Sequence, residues 1–192
     1  MTKEEQRRIV KFEVATMEEH DRKTADAKII QNILSLSVVK SAKAVFIFLS
    51  ASGEPDTITL VGELIKAGKK VGVPKCVGND MKIIEVDEEC DFKVGAFGLI
   101  EPVSEKELSR IDVVLAPLVA YDKSLNRLGK GKGYYDRYFA STKAVKVGVA
   151  YSCQEVESVV TDSNDQKLDF VVTENGLLKK MISSIREFDQ NS

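Results

Sequence analysis

The chain of 192 residues is 43% hydrophobic and 30% charged, which supplies enough apolar sequence for a substantial core and excludes an unstructured polar chain. Its 28 basic and 30 acidic side chains give a formal net charge of −2, so there is no global basic field for nucleic acid and any bound anion must be held by a local cluster. Three widely spaced cysteines and a single histidine argue against a disulfide scaffold, a zinc site and triad chemistry; no apolar run reaches the roughly 20 residues of a membrane span.

Residues 2 to about 20 carry an apolar thread (Ile9, Val10, Phe12, Val14, Met17) through charged sequence, and Thr2 with Glu5 makes a capping box, so a first helix is predicted. Glu4, Glu5 and Glu13 suit neither a secretory nor a transit segment, which leaves the cytoplasm as the expected location. Lys3 and Arg7, four apart, share a helix face where like charges repel, and a shared anion would relieve that; two solvated charges are the alternative. His20 lies among Glu18, Glu19, Asp21 and Arg22 and reads as a solvent-facing helix residue. A second helix is predicted from about Thr24 to Val39.

Ala44 to Leu49 is continuously apolar, as expected of a parallel strand buried on both faces. Ser50 to Asp56 leaves its carboxyl end, where open α/β sheets hold ligands, so Glu54 is a candidate site carboxylate; the alternative is an acid favouring the dipole of a helix that Pro55 opens and Gly68 stops. Val71–Pro74 reads as a short strand, and Met81–Val86 as a strand at the sheet edge. Cys90 to Pro102 is irregular, with Phe97 either a mobile wall or ordinary loop packing. Val113–Leu115 is another buried strand. From Leu118 to Gly133 no regular structure is predicted, and the apolar Leu118, Val119, Leu125 and Leu128 suggest an ordered functional loop.

That loop contains N-R-L-G-K-G-K-G-Y-Y-D-R, Asn126 to Arg137. Gly129, Gly131 and Gly133 suit neither helix nor strand, but they let successive N–H groups face one anion. Arg127, Lys130, Lys132 and Arg137 add positive charge, making a cradle for phosphate; a solvated basic turn is the alternative. Tyr134, Tyr135 and Tyr138 offer planar surface for a flat ligand. Asp136 suits a pair with Arg137 or a Mg²⁺ ligand beside a nucleotide. Neither the Walker nor the dinucleotide fingerprint is present.

A helix should start at Tyr134, putting a helix N-terminus beside the cradle. Strands are predicted at Val145–Tyr151 and Phe170–Thr173, then a last helix through Leu177, Leu178, Met181 and Ile185. Asp165 is a second candidate metal carboxylate, or a turn former. Alternating strands and helices predict one α/β domain over 1–192: three layers with a mainly parallel central sheet flanked by helices, the residues from Glu187 to Ser192 being frayed.

The glycine stretch resembles the signature of the 5-formyltetrahydrofolate cyclo-ligase (5,10-methenyltetrahydrofolate synthetase) family. The other markers follow in order: Lys3 and Arg7, Glu54 and Thr57 after F-L-S, V-P-K with Met81, F-G-L-I-E-P, A-P…A-Y-D at Ala116 to Asp122, and D-x-x-L-D-x-V-V-T-E at Asp165 to Glu174. The resemblance implies ATP- and Mg²⁺-dependent closure of 5-formyltetrahydrofolate, with or without a polyglutamate tail, to 5,10-methenyltetrahydrofolate by a cytoplasmic monomer. It implies that ATP is held by Lys3, Arg7, Arg127, Leu128, Gly129, Lys130, Gly131, Lys132, Gly133, Tyr134 and Tyr135, with Lys3, Arg127 and Lys132 acting in catalysis. Asp136 and Asp165 would hold Mg²⁺, and Leu49, Glu54, Tyr134 and Tyr135 the folate. Leu118 and Leu125 stand where the family commonly has glycine. A sugar-phosphate isomerase and a non-catalytic nucleotide- or RNA-binding module are the rival readings; the net charge of −2 is a poor footprint for RNA.

Overall fold

A computed structural model of the chain describes residues 1–95 and 98–180. Phe97, Met181 and Ile185 lie outside the described residues. Helix α1 spans Lys3–Ala15, capped as predicted: the Thr2 hydroxyl accepts from Glu5 N–H and the Glu5 carboxylate accepts from Thr2 N–H. Then come α2 (Glu19–Ser35), α3 (Ser37–Ser41), β1 (Ala44–Ile47), α4 (Thr57–Lys66), β2 (Lys70–Val77) and β3 (Asp80–Val86). A small ladder of β4 (Phe92–Val94) and β5 (Ile100–Pro102) precedes β6 (Val113–Ala116). After it run β7 (Ala120–Tyr121), β8 (Arg127–Leu128), α5 (Tyr134–Phe139), β9 (Val145–Val149), β10 (Phe170–Thr173) and β11 (Gly176–Lys179).

Seven strands form one sheet in the order β11-β10-β9-β6-β1-β2-β3. The five inner strands are parallel and the two edges antiparallel, so Met81–Val86 lies at the edge as its weak alternation suggested. The inner strands bury both faces. Val45, Ile47, Val113 and Leu115 pack on one side with α2 and α4, whereas Phe46, Val114 and Ala116 pack on the other with Phe139 of α5. From central β1 the chain moves outward to β2 and β3; from β6 it moves the opposite way to β9 and β10. The loops after β1 and β6 therefore diverge and leave a crevice at their carboxyl ends, the place where such sheets bind ligands.

Five expectations are corrected, the first being that the stretch read as irregular between Cys90 and Pro102 contains the β4–β5 ladder. Leu177 and Leu178 lie in β11, paired with Val172 and Val171, and not in a helix. The reason is local: Gly176, at φ 119°, permits a tight turn back along β10. The predicted second helix breaks at Leu36, which is extended (ψ 132°), so that Val39 enters the core from the separate turn α3. Helix α4 starts two residues after Pro55, with the Asp56 carboxylate accepting from Thr59 N–H as its cap. The connection Leu118–Gly133 is not without regular structure, because β7 pairs with β8. One buried carboxylate organises that hairpin: Asp122 accepts from the backbone N–H of Ser124, Asn126 and Val159 and from the Asn126 side-chain amide.

Candidate active site

The glycine stretch runs from β8 into α5 along the wall of a cavity of about 1010 Å³. Gly131 (φ 99°) and Gly133 (φ 71°) occupy left-handed conformations that side chains other than glycine adopt at a cost. Gly129 serves differently, since a Cβ there would lie 3.0 Å from Arg127 Nη1. Helix α5 has only six residues, so its dipole adds little to anion binding, and the positive field comes from side chains.

Lys3 and Arg7 both reach the same cavity from their shared face of α1. Arg7 Nε donates to the Gly129 carbonyl at 2.8 Å, tying the helix to the glycine loop. Lys3 Nζ lies 2.6 Å from one oxygen each of Asp162 and Asp165, and Asp162 N–H donates to that Asp165 oxygen. These bonds hold the Asp162 carboxyl below the ordinary carboxylate range, the Lys3 hydrogen bond being the largest cause. For Lys3, burial works to lower its pKa, but its bonds to Asp162 and Asp165 prevail and raise it. Lys130 and Lys132 line the cavity as exposed side chains.

Arg127 is placed differently from an open cradle residue. Its side chain is 3% exposed, donates to the Pro117 carbonyl (3.1 Å) and pairs with Asp136 (2.9 Å). The guanidinium also lies 5.7 Å from the Tyr135 ring centre and 5.5 Å from that of Phe139. Asp136 is thus the partner of Arg127, not of Arg137, and its other oxygen accepts from Gln166 N–H at 3.3 Å. Asp136, Asp162 and Asp165 all line the cavity, yet among the described residues no group of three potential metal ligands is gathered closely enough to hold an ion by itself.

The other half of the cavity is apolar: Phe48 and Leu49 from the end of β1, Pro74 and Cys76 from β2, Met81 from β3, and Ile100 from β5. Tyr134 and Tyr135 line it too, whereas Tyr138 packs edge-on against Phe46 in the core and leaves the predicted tyrosine cluster. Tyr134 donates to the Gly78 carbonyl at 2.9 Å beneath the Arg137 guanidinium, which itself donates to Asn79 O. The Tyr135 ring stacks on Phe46 with centres 5.7 Å apart, and its hydroxyl is buried without a partner. Burial, reinforced by the Glu54 charge, holds that hydroxyl far above the ordinary tyrosine range.

Glu54 does not line the main cavity; it lines a second one of about 650 Å³ together with Lys11, Arg22 and Leu118, and Lys130 lines both. One carboxylate oxygen accepts from Ala51 N–H at 2.8 Å, and the other lies 2.7 Å from Lys130 Nζ. The cradle lysine and the expected folate carboxylate are therefore already in contact. Sequence reasoning did not single out Asp162, Gln166, Cys76 or Glu101, all of which line the main cavity. For Asp162 a signal was present in D-S-N-D, where one turn brings both aspartates to a single lysine.

The family model described as the 5-formyltetrahydrofolate cyclo-ligase family matches residues 1–174. A 5-formyltetrahydrofolate cyclo-ligase of Escherichia coli K12 is 36% identical over 146 residues, covering 70% of this chain and 80% of the relative. The Haemophilus influenzae enzyme of the same name is 29% identical over 171 residues, covering 84% of this chain and 90% of its own. The solved structure of Aquifex aeolicus 5,10-methenyltetrahydrofolate synthetase superposes with a TM-score of 0.86 at 35% identity, covering 99% of this chain and 97% of that one. A second, a 5,10-methenyltetrahydrofolate synthetase from Mycoplasma pneumoniae, shares the fold at 24% identity with a TM-score of 0.74, covering 91% and 99%. With matching sequence from the first helix to the end of β10 and the same fold throughout, the chain belongs to the 5-formyltetrahydrofolate cyclo-ligase family and is a ligase.

Proposed function

We propose that the protein closes 5-formyltetrahydrofolate to 5,10-methenyltetrahydrofolate at the expense of ATP, in the main cavity. The supporting observation is that one continuous space joins a cationic end (Lys3, Arg7, Lys130, Lys132) to an apolar end (Leu49, Met81, Tyr134), so a polyphosphate and a flat ring system can meet in it. The formyl oxygen attacks the γ-phosphorus and ADP leaves, which converts an amide oxygen into a phosphate leaving group. N10 then attacks the activated carbon, phosphate departs with the original oxygen, and the N10 proton is lost. Such a transfer depends on positioning and charge neutralisation.

In this reading Lys3, Arg7, Lys130 and Lys132 hold the phosphates, with Leu128 and Gly129 to Gly133 shaping the floor. Arg127 acts from inside the wall by fixing Tyr135 and Asp136. Tyr134, Tyr135 and Leu49 orient the folate, and Glu54 acts from the adjoining cavity through its contact with Lys130. Asp136 and Asp165 supply hard carboxylate oxygens on the phosphate side of the cavity, which fits Mg²⁺, an ion that keeps several waters and completes its shell with phosphate oxygens. Bound there, Mg²⁺ would neutralise charge on the transferring phosphoryl group. The chain is proposed to work as one domain over 1–192, as a monomer, in the cytoplasm.

The test is purified protein with 5-formyltetrahydrofolate, ATP and Mg²⁺, followed by the absorbance of the methenyl product and by ADP release in equal amount. 5-Methyltetrahydrofolate, which has no carbonyl oxygen, should release no ADP; equal ADP release with it would overturn the formyl-phosphate route. Glu54→Gln, which removes the charged partner of Lys130, should slow product formation and change ATP affinity as well.

A further inference from the structure

One buried network beneath the loop after β1 takes no part in the scheme above. Tyr151, just after β9, is wholly enclosed, and its ring belongs to the same core cluster as Ile29 and Phe48. Its hydroxyl donates to the Asp26 carboxylate of α2 at 2.7 Å and lies 3.3 Å from the Glu54 carbonyl. The same Asp26 oxygen accepts from Asp56 N–H at 3.1 Å. Pro55, buried between Glu54 and Asp56 and lacking an N–H of its own, is thus gripped on both sides, at the carbonyl before it and the N–H after it. The upstream end of the loop is tied as well: the Thr57 hydroxyl donates to Phe48 O at 2.6 Å and accepts from Ser50 N–H at 2.8 Å.

A phenylalanine would fill the Tyr151 site in the core without burying a hydroxyl, and α2 could pack without a half-buried carboxylate, so packing alone does not require this network. Burial pushes the Asp26 carboxyl above the ordinary aspartate range; its hydrogen bonds from Tyr151 and Asp56 N–H and the Arg22 charge oppose that, while the Asp56 charge adds to it. What the network fixes is the backbone that carries Glu54. The Glu54 side chain, 10% exposed, turns from that backbone to accept from Ala51 N–H and to meet Lys130 Nζ at 2.7 Å, and Lys130 lines both cavities. With residues 54 to 56 clamped, the carboxylate has little freedom to leave the lysine. On the reading of the main cavity as the ligase site, we propose that Tyr151 and Asp26 are positioning residues, which act through Glu54 to set the place of Lys130 at the phosphate end.

The experiment follows the ε-carbon signal of Lys130 by NMR in lysine-labelled protein, beside the rate of methenyl formation and stability to denaturant. Tyr151→Phe and Asp26→Ala should move that signal toward its position in Glu54→Gln, and each should slow product formation by roughly tenfold. Asp26→Asn keeps the acceptor oxygen that Tyr151 and Asp56 share, so its signal and rate should stay near those of wild type whatever its stability. Placed in the Glu54→Gln background, Tyr151→Phe should add no further loss of rate, since both changes act on one contact. A Lys130 signal unmoved in folded Tyr151→Phe, or rate losses that multiply in the double variant, overturns the proposal. Should Tyr151→Phe not fold, Asp26→Ala decides by the same two readings. A wild type that makes no methenyl product removes the proposed reaction, while a moved Lys130 signal would still carry the positioning.

Discussion

Arg127 shows how a single side chain divides between stability and function. Its guanidinium is buried against Tyr135 and Phe139 and paired with Asp136, so Arg127→Ala leaves a partly buried carboxylate uncompensated. Breaking such a pair costs about 3 kcal/mol at the lower end of the usual range, appropriate because Asp136 retains 18% exposure. Denaturant unfolding should show that loss with or without ATP; undiminished stability with weakened ATP binding would return Arg127 to the phosphate contacts. Leu125 is a second case, because its φ of 63° is the left-handed backbone for which glycine is suited. Leu125→Gly relieves about 1–2 kcal/mol of backbone strain but empties a side chain packed in the same cluster as Leu118 and Leu168. Burial wins, since losing a core leucine costs roughly 3–5 kcal/mol, and a net destabilisation of about 2 kcal/mol is expected in chemical denaturation. Leu118 and Leu125 thus fill one core together. The Lys3–Asp162 contact gives a pH prediction. Asp162 is depressed in the folded state, so its contribution is present above the unfolded aspartate value of about 3.9 and lost as pH falls through the lower folded one. Lys3 is raised, so its contribution is lost only in strong alkali, above its ordinary value. Amide shifts of residues 3–7 followed by NMR should stay constant through neutral pH and move below about 4; a transition near neutrality would assign the contact to another group.

At the scale of elements, the glycine loop was legible as a loop because three glycines at alternate positions fit neither periodicity, but their separate duties were not. Gly133→Ala imposes a left-handed alanine and puts its Cβ 2.7 Å from Arg137 Nη1, where Arg137 must swing away from Lys132 O and Asn79 O. The expected cost is about 1–2 kcal/mol, a Tm lower by roughly 2–8 °C, with a higher KM for ATP. Gly62→Ala in α4 is the control: nothing lies within 4 Å of the new Cβ, so the helix should gain roughly 0.5–1 kcal/mol and activity should not change. Helices α1 and α4 and the inner strands could be read because each has a local cap or an unbroken apolar run. The terminal β11 could not, since Leu177 and Leu178 fit either period and the decision lay with Gly176 and the free edge of β10.

At the scale of the whole molecule, the cavity connects distant parts of the chain: α1 and the Asp162–Gln166 turn at one end, the β2, β3 and β5 edge at the other. ATP with Mg²⁺ should therefore slow hydrogen exchange in α1 and in residues 129–133 and 162–166, while 5-formyltetrahydrofolate should protect β2 and β5. Each should raise Tm, by an amount equivalent to about 2.7 kcal/mol at a hundredfold excess over Kd. Protection of the same segments by both ligands would argue against two ends of one site. By itself the sequence determined the alternation of strand and helix, the buried parallel strands and the basic, glycine-rich character of the loop before α5, because period, capping and charge clustering are local properties. Only the tertiary structure decided that Arg127 turns inward to Asp136 and Pro117 O, that Lys130 meets Glu54, and that Glu101 is enclosed beside Cys76. Those outcomes depend on which loops the diverging strands β1 and β6 bring together, and a charged side chain takes its partner from whatever the fold sets beside it.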